Sequence, residues 1–289
     1  MNENDYVTSA VGVRLPRILY GTAWKEERTA GLVEQAVTLG FRGIDTACQP
    51  KHYNEAGVGE GLARCFAKGL RREDVYLQSK FTPLQGQDPE RVPYDPKARL
   101  ADQVAQSFET SLRNLRTDHL DGLVLHSPLA DEASLMEVWG ALEAVCKSGG
   151  ARQIGISNCY ALETLTRLYD LAEVKPALIQ NRFYADTGYD REIRRFCRQK
   201  GLIYQSFWTL TANPKVLAGE TLQNLANKYA RSAAQVFYRY LTLTDIIPLS
   251  GTTRAQHMQD DLAIFDFELT PAECASVGRL LDREPAAAS

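Results

Sequence analysis

The 289-residue sequence predicts a single-domain α/β fold, a closed (β/α)8 TIM barrel, on three observations. Short apolar or β-branched runs alternate with longer segments of helical period. Glycines close several of those helices just before the next strand. No composition break or linker divides the chain. Successive β-then-α units imply a parallel sheet, because each parallel connection needs a crossover helix. Eight such units close into a barrel, for which about 250 residues is typical. An open doubly wound sheet is the alternative arrangement of the same units. One domain is expected over 1–289, its active face at the C-terminal strand ends, with mobile tails at 1–12 and 283–289.

The first strand reads 18-ILYGTA, and the helix 28-RTAGLVEQAVTLG after it stops at Gly40. The second, 43-GIDTAC, leads through a loop into a glycine-bearing segment that ends at Gly69. The third, 74-DVYLQSKF, precedes a long loop over 82–96 and a helix in which Leu100, Val104, Phe108, Leu112 and Leu115 recur at helical spacing. The fourth, 120-LDGLVLHS, is followed by the helix 132-EASLMEVWGALEAVCKSGG, closed by Gly149 or Gly150. Then come 151-ARQIGISN, 177-ALIQNRFY up to the helix stop at Gly201, 202-LIYQSFW and 245-DIIPLSG. A second irregular stretch spans 209–219. Both long loops follow strand ends and so lie over the active face.

Composition removes several classes. With 44% hydrophobic and 24% charged residues and a net charge of −3, nothing favours nucleic acid or an acidic membrane. The opening MNENDYVTSA lacks the basic and apolar regions of a signal peptide, and no run of about 18 apolar residues occurs. Six scattered cysteines without a CxxC pair read as buried free thiols of a reduced, cytoplasmic protein, expected to be a monomer. Gly57, Gly59 and Gly61 imitate a dinucleotide loop, but Leu62 stands where the last glycine is needed, and close helix packing explains them better. A nucleophile elbow fails at Cys159 of 155-GISNC. The four histidines are not at metal-ligand spacing, and no metal is expected.

Polar residues gather where the eight strands end. Asp45, Lys80, His126, Ser157, Asn158, Gln180 and Ser206 lie there, with Tyr53 in the loop after the second strand. A Lys and an Asp at the tails of apolar strands are costly to bury unless paired. Phenol, ammonium, carboxylate and imidazole together suit proton donation to a carbonyl oxygen. A neighbouring ammonium lowers the pKa of a phenol that is otherwise too weak an acid, and an imidazole orients the substrate oxygen. No side chain supplies a hydride, so a nicotinamide must.

At this point the sequence resembles the aldo-keto reductase family, through GIDTA, QSK, LVLHSP, IGISN, the Gln of 177-ALIQN and IPLSGTT before FDFELT, across almost the entire chain. The resemblance implies Asp45, Tyr53, Lys80 and His126 as the catalytic tetrad. It implies Ser157, Asn158 and Gln180 as ligands of the nicotinamide carboxamide, and Ser206 after the seventh strand. Gly21, Thr22 and Trp24 match the first-strand motif beside the nicotinamide.

Three departures accompany it. The loop between Asp45 and the phenol is lengthened by 48-CQPK, which leaves His52 as a neighbour of Tyr53. Gln205 stands where the family stacks an aromatic on the nicotinamide, with Phe207 or Trp208 as substitutes after a shift. Leu249 replaces the Lys that meets the 2′-phosphate of NADP, leaving Ser250, Thr252, Thr253 and Arg254, with His257 and Asp261 further along the following helix, to hold the cofactor. NADP(H) is expected, with NAD(H) as the alternative. Trp24, Phe81, Ser127, Tyr184 and Trp208 line the expected mouth for a small carbonyl compound. Ser127 and the short 283-REPAAAS predict an open, tolerant cleft. The function read from this is metal-independent reduction of aldehydes or ketones. A NAD-dependent sugar or alcohol dehydrogenase and a nucleotide-binding regulatory barrel are the alternatives.

Overall fold

A computed structural model describes residues 5–281. The chain begins with an antiparallel hairpin, β1 (Tyr6–Thr8) and β2 (Arg14–Pro16), before any barrel strand. Residues 6–8 therefore do not belong to a tail. They pair with 14–16, and the Asp5 carbonyl accepts a hydrogen bond from Arg17 N at 2.8 Å. The tail expected at 283–289 lies outside the described residues.

Eight parallel strands follow: β3 (Leu19–Gly21), β4 (Gly43–Asp45), β5 (Tyr76–Phe81), β6 (Gly122–Leu125), β7 (Ile154–Ser157), β8 (Leu178–Arg182), β9 (Ile203–Phe207) and β10 (Ile246–Ser250). Each pairs with the next, and β10 returns to β3 through Leu249↔Leu19 and Ser250↔Tyr20, closing the barrel. All eight coincide with the runs read from sequence. At the end of the helix Glu132–Lys147, Gly149 rather than Gly150 takes the positive φ, at 83°.

The period of two along a strand sorts residues between the barrel interior and the helix layer. Tyr76, Leu178, Ile203, Val124, Leu19, Ile247 and Leu249 form one apolar cluster, which Val13 and Leu15 of the hairpin region cap from below. Their strand neighbours Leu77, Ile179, Tyr204, Leu123, Tyr20 and Ile246 belong instead to the large core shared with the helices. Above the inner apolar cluster, the next inward positions on β5, β8 and β9 are all glutamines, namely Gln78, Gln180 and Gln205.

The helix Glu55–Phe66 explains the three glycines. A Cβ on Gly59 would lie 2.2 Å from the Asn114 carbonyl oxygen, and one on Gly61 would lie 2.6 Å from that of Ala30. Backbone-to-backbone packing against both neighbouring helices leaves no room for a Cβ at either position, and one on Gly57 would lie 3.0 Å from the Asn54 and Thr29 side chains. All six cysteines are free, and no helix among the described residues is long and apolar enough to cross a membrane.

Candidate active site

Asp45 is the last residue of β4 and Lys80 the penultimate residue of β5, and both side chains point inward. Lys80 Nζ donates to Asp45 Oδ2 at 2.6 Å and to the Thr46 carbonyl at 2.9 Å, with both side chains almost fully buried. Asp45 Oδ1 accepts from Gln78 Nε2 at 2.7 Å and from Gln180 Nε2 at 2.9 Å. Gln205 Oε1 takes the other bond of each amide, at 2.9 Å in both cases. A buried carboxylate is tolerated only when charge and hydrogen bonds both compensate it, and here they do.

Tyr53 arrives over this pair. Its ring centroid lies 5.3 Å from Lys80 Nζ and 5.9 Å from the His126 ring, edge to face. The lengthened loop is tied down by Gln49, whose Nε2 donates to the Gly86 carbonyl at 2.7 Å and whose own carbonyl accepts from Tyr53 N at 3.0 Å. From the other side, Asn54 caps the next helix by accepting from Gly57 N at 2.9 Å. Glu55 behind it is buried and accepts from Ser79 Oγ at 2.5 Å and Ser111 Oγ at 2.8 Å. His52 is engaged elsewhere: its Nδ1 lies 2.9 Å from Gln49 Oε1 and its ring packs, tilted, 3.8 Å from that of Trp24.

Electrostatics favour neutral groups at the tip. Burial, with the Asp45 charge adding to it, pushes the Tyr53 phenol well up, so the expected lowering by the ammonium does not prevail. Burial draws Lys80 down, opposed by Asp45. His126 is held well below its ordinary value, first by burial and then by the Lys80 charge, and is therefore a neutral imidazole. Its Nδ1 lies 2.7 Å from Thr82 Oγ1, which leaves Nε2 for the cleft.

The remaining expected residues divide by strand parity. Ser157 points inward and its Oγ donates to the Gln180 carbonyl at 2.6 Å, while Asn158, at φ 53°, donates to the His126 carbonyl at 2.8 Å. Gly21 pairs in register with Asp45, and Thr22 Oγ1 donates to the Asp45 carbonyl at 2.9 Å. Trp24 and Trp208 stand at the mouth, 59% and 48% exposed, both with positive φ.

Phe81, Ser206 and Ser250 are corrections. Each follows an inward residue and so faces the helix layer: Phe81 packs on Tyr94 at 5.6 Å, Ser206 accepts from Thr209 Oγ1 at 2.9 Å, and Ser250 donates to Asp261 Oδ2 at 2.6 Å. Asp261 is thereby buried and committed to Ser250 rather than open to the cleft, and burial lifts its pKa to about 7. Phe207 packs against the inner apolar cluster, whereas Tyr184 and Trp208 flank Arg182. Ser127 is half-buried beside His126, and His257 is exposed.

Arg254 precedes the helix Ala255–Leu262, exposed, with its N–H bonded to Thr252 Oγ1 at 3.2 Å; Thr253 between them is half-buried. Sequence reasoning missed Lys25, which follows Trp24. Its buried ammonium donates to the Gly251 carbonyl, in the loop beneath Thr252 and Thr253, and burial lowers its pKa. In 24-WKEER Lys25 is one of four consecutive charged residues, so nothing in the sequence set it apart. Gln78 and Gln205 were missed for a different reason, since their value lies in each other.

Comparisons with known proteins give the family and the fold. The model of the Aldo/keto reductase family matches residues 17–282. An uncharacterized oxidoreductase, YtbE, of Bacillus subtilis (strain 168) is 32% identical over 90% of this chain and 86% of its own. An NADPH-dependent alpha-keto amide reductase of Saccharomyces cerevisiae is 29% identical over 97% of this chain and 92% of its own. A solved aldo/keto reductase from Brucella melitensis superimposes with a TM-score of 0.80 at 26% identity, covering 95% of this chain and 98% of that one. The chain is an oxidoreductase and belongs to the aldo/keto reductase family.

Proposed function

We propose that the protein reduces aldehydes or ketones to alcohols with NADP(H), Tyr53 donating the proton. The observation that carries this is the Asp45–Lys80 pair, sealed at 2.6 Å beneath the Tyr53 ring with neutral His126 at its edge. Tyr53 keeps its proton until a carbonyl oxygen develops negative charge. Lys80, held charged by Asp45, stabilises the phenolate left behind. His126 offers an N–H from Nε2 to the same oxygen, its orientation set by Thr82. Asp45 acts through Lys80 and is a positioning residue.

The residues present fit a nicotinamide cofactor. Ser157, Asn158 and Gln180 bring neutral hydrogen-bonding groups to adjoining strand ends, as a carboxamide needs. The loop 251–254 has Arg254 at a helix N-terminus with Lys25 beneath it, as phosphates need. When bound, that cofactor supplies the hydride. The NADPH dependence named for the yeast relative supports the choice of cofactor.

The test is NADPH and NADH oxidation over a panel of aldehydes, ketones and sugars, comparing wild type with Tyr53→Phe. Loss of about 10²–10⁴-fold in turnover with NADPH affinity kept is expected, the usual contribution of general acid catalysis. A variant retaining a tenth of the turnover, with chemistry rate-limiting, would remove Tyr53 from this role.

A further inference from the structure

Arg182 is the last residue of β8, at the mouth of the barrel. Strand parity carries Leu178, Gln180 and Arg182 inward in succession. Leu178 joins the apolar plug and Gln180 touches Asp45. Arg182 therefore stands one layer higher, about 6–7 Å further along the strand, on the interior side of the rim. A chain of hydrogen bonds ties the backbone at that point to the backbone of His126: Arg182 N donates to Tyr160 OH at 3.1 Å, Tyr160 OH to Asn158 Oδ1 at 3.1 Å, and Asn158 Nδ2 to the His126 carbonyl at 2.8 Å.

The guanidinium is held but not neutralised. Its Cζ lies 4.4 Å from the centroid of the Tyr184 ring and 4.5 Å from that of Trp208, so two aromatic faces clamp it. No carboxylate pairs with it and no acceptor takes a hydrogen bond from it among the described residues, and its Nε is buried without a partner. Other partly buried arginines differ. Arg72 meets Asp121 at 2.9 Å, Arg239 meets Glu268, Arg42 bonds the Val37 and Phe41 carbonyls, and Arg194 bonds the Tyr189 carbonyl. A cation oriented by two rings, with its planar donors unused, is arranged to receive an anion in bidentate fashion.

We infer that Arg182 is an anion receptor at the mouth of the barrel, taking either a phosphate oxygen pair of the cofactor's diphosphate or a carboxylate of the substrate, which would then be an oxo acid. The substrate arm rests on the carbonyl-reductase reading given above; the cofactor arm requires nucleotide binding alone.

The test compares wild type with Arg182→Met, which keeps an unbranched stem between the rings and strands no buried carboxylate. NADPH is titrated by intrinsic fluorescence without substrate. KM is then measured at saturating NADPH for 4-carboxybenzaldehyde and for benzaldehyde. Loss of about ten- to a hundredfold in NADPH affinity assigns the diphosphate, the span of a charge-assisted hydrogen bond. A similar rise in KM for 4-carboxybenzaldehyde alone, with NADPH affinity kept, assigns the substrate carboxylate. Affinities and KM values within twofold of wild type overturn the inference, as does an equal change for both aldehydes with NADPH affinity kept. Arg182→Lys, which keeps the charge and loses the fork, carries the same test if the Met variant does not fold. A selective loss of threefold or more is then expected, and equal values overturn the inference. If the wild type reduces neither aldehyde, the carbonyl-reductase reading fails on its own, and the NADPH titration alone decides the role of Arg182.

Discussion

The interior of the barrel is built on two different principles one layer apart. Its lower half is an apolar plug of Leu19, Val124, Leu178, Ile203 and Ile247, capped by Val13 and Leu15, with the Tyr76 hydroxyl bonded upward to Gln78 Oε1 at 2.8 Å. Its upper half holds Asp45, Lys80, Gln78, Gln180 and Gln205 in one connected set of hydrogen bonds. Both halves are buried, yet they fail differently. An apolar plug loses stability in proportion to the volume removed, whereas a polar layer loses it whenever a partner is stranded. The upper arrangement also restricts geometry, since Gln78 and Gln180 have both Nε2 bonds committed to Asp45 and Gln205, which leaves Gln180 its Oε1 to offer a ligand.

The largest contrast is expected from Lys80→Met. It leaves the Asp45 carboxylate buried without its cation, costing about 3–5 kcal/mol in urea unfolding and at least a hundredfold in turnover. Adding Asp45→Asn to that variant should return most of the stability and none of the turnover. Recovery of activity would show the pair to be structural only.

Asp261 shows what a buried acid does with a hydroxyl as its partner and no cation. Its pKa rises to about 7, so the folded state keeps a proton that an unfolded Asp, near 3.9, releases. More protons are bound folded than unfolded between those values, so stability falls as pH rises from about 4 to 7. The total is at most about 4 kcal/mol. Asp261→Asn should flatten that slope, read as the urea midpoint across pH. A slope unchanged by the substitution would place the titration elsewhere.

In the plug, Leu178→Ala should cost about 2–5 kcal/mol while the folded fraction turns over within about twofold of wild type. Gln205→Leu, one layer up, should cost less, about 1–3 kcal/mol, because it leaves Gln78 and Gln180 each short of an acceptor. Its turnover should nonetheless fall several-fold, since both amides also orient Asp45. Equal silence of the two variants in turnover would reduce the amide layer to packing.

Much of this was legible in the residues. Periodicity and helix-stopping glycines sufficed for eight strands in the right order, because parallel strands buried on both faces must be short apolar runs between amphipathic helices. Asp45 and Lys80 were readable as strand-end charges among apolar neighbours, where pairing is obligatory, and His126 as a polar group at the same end of the next strand. The glycines of the helix Glu55–Phe66 were readable as close packing. The outward facing of Phe81, Ser206 and Ser250 was not readable. One residue's difference in parity exchanges the interior for the helix layer, and these short strands leave the inward face to be set by the closed register.

Tertiary structure alone decided the rest. Gln78, Gln180 and Gln205 are far apart in sequence and unremarkable singly, yet closure of the barrel makes them one layer around Asp45. Lys25 gains its meaning from Gly251 across the β10–β3 seam, and Arg182 from Tyr184 and Trp208 on either side of it. The physical reason is common to all of them. A sequence determines which side chains need burial, pairing or a left-handed turn, because those needs belong to the residue and its neighbours along the chain. Whether a charge finds its partner is a property of the space between strands, which exists only once the barrel has closed.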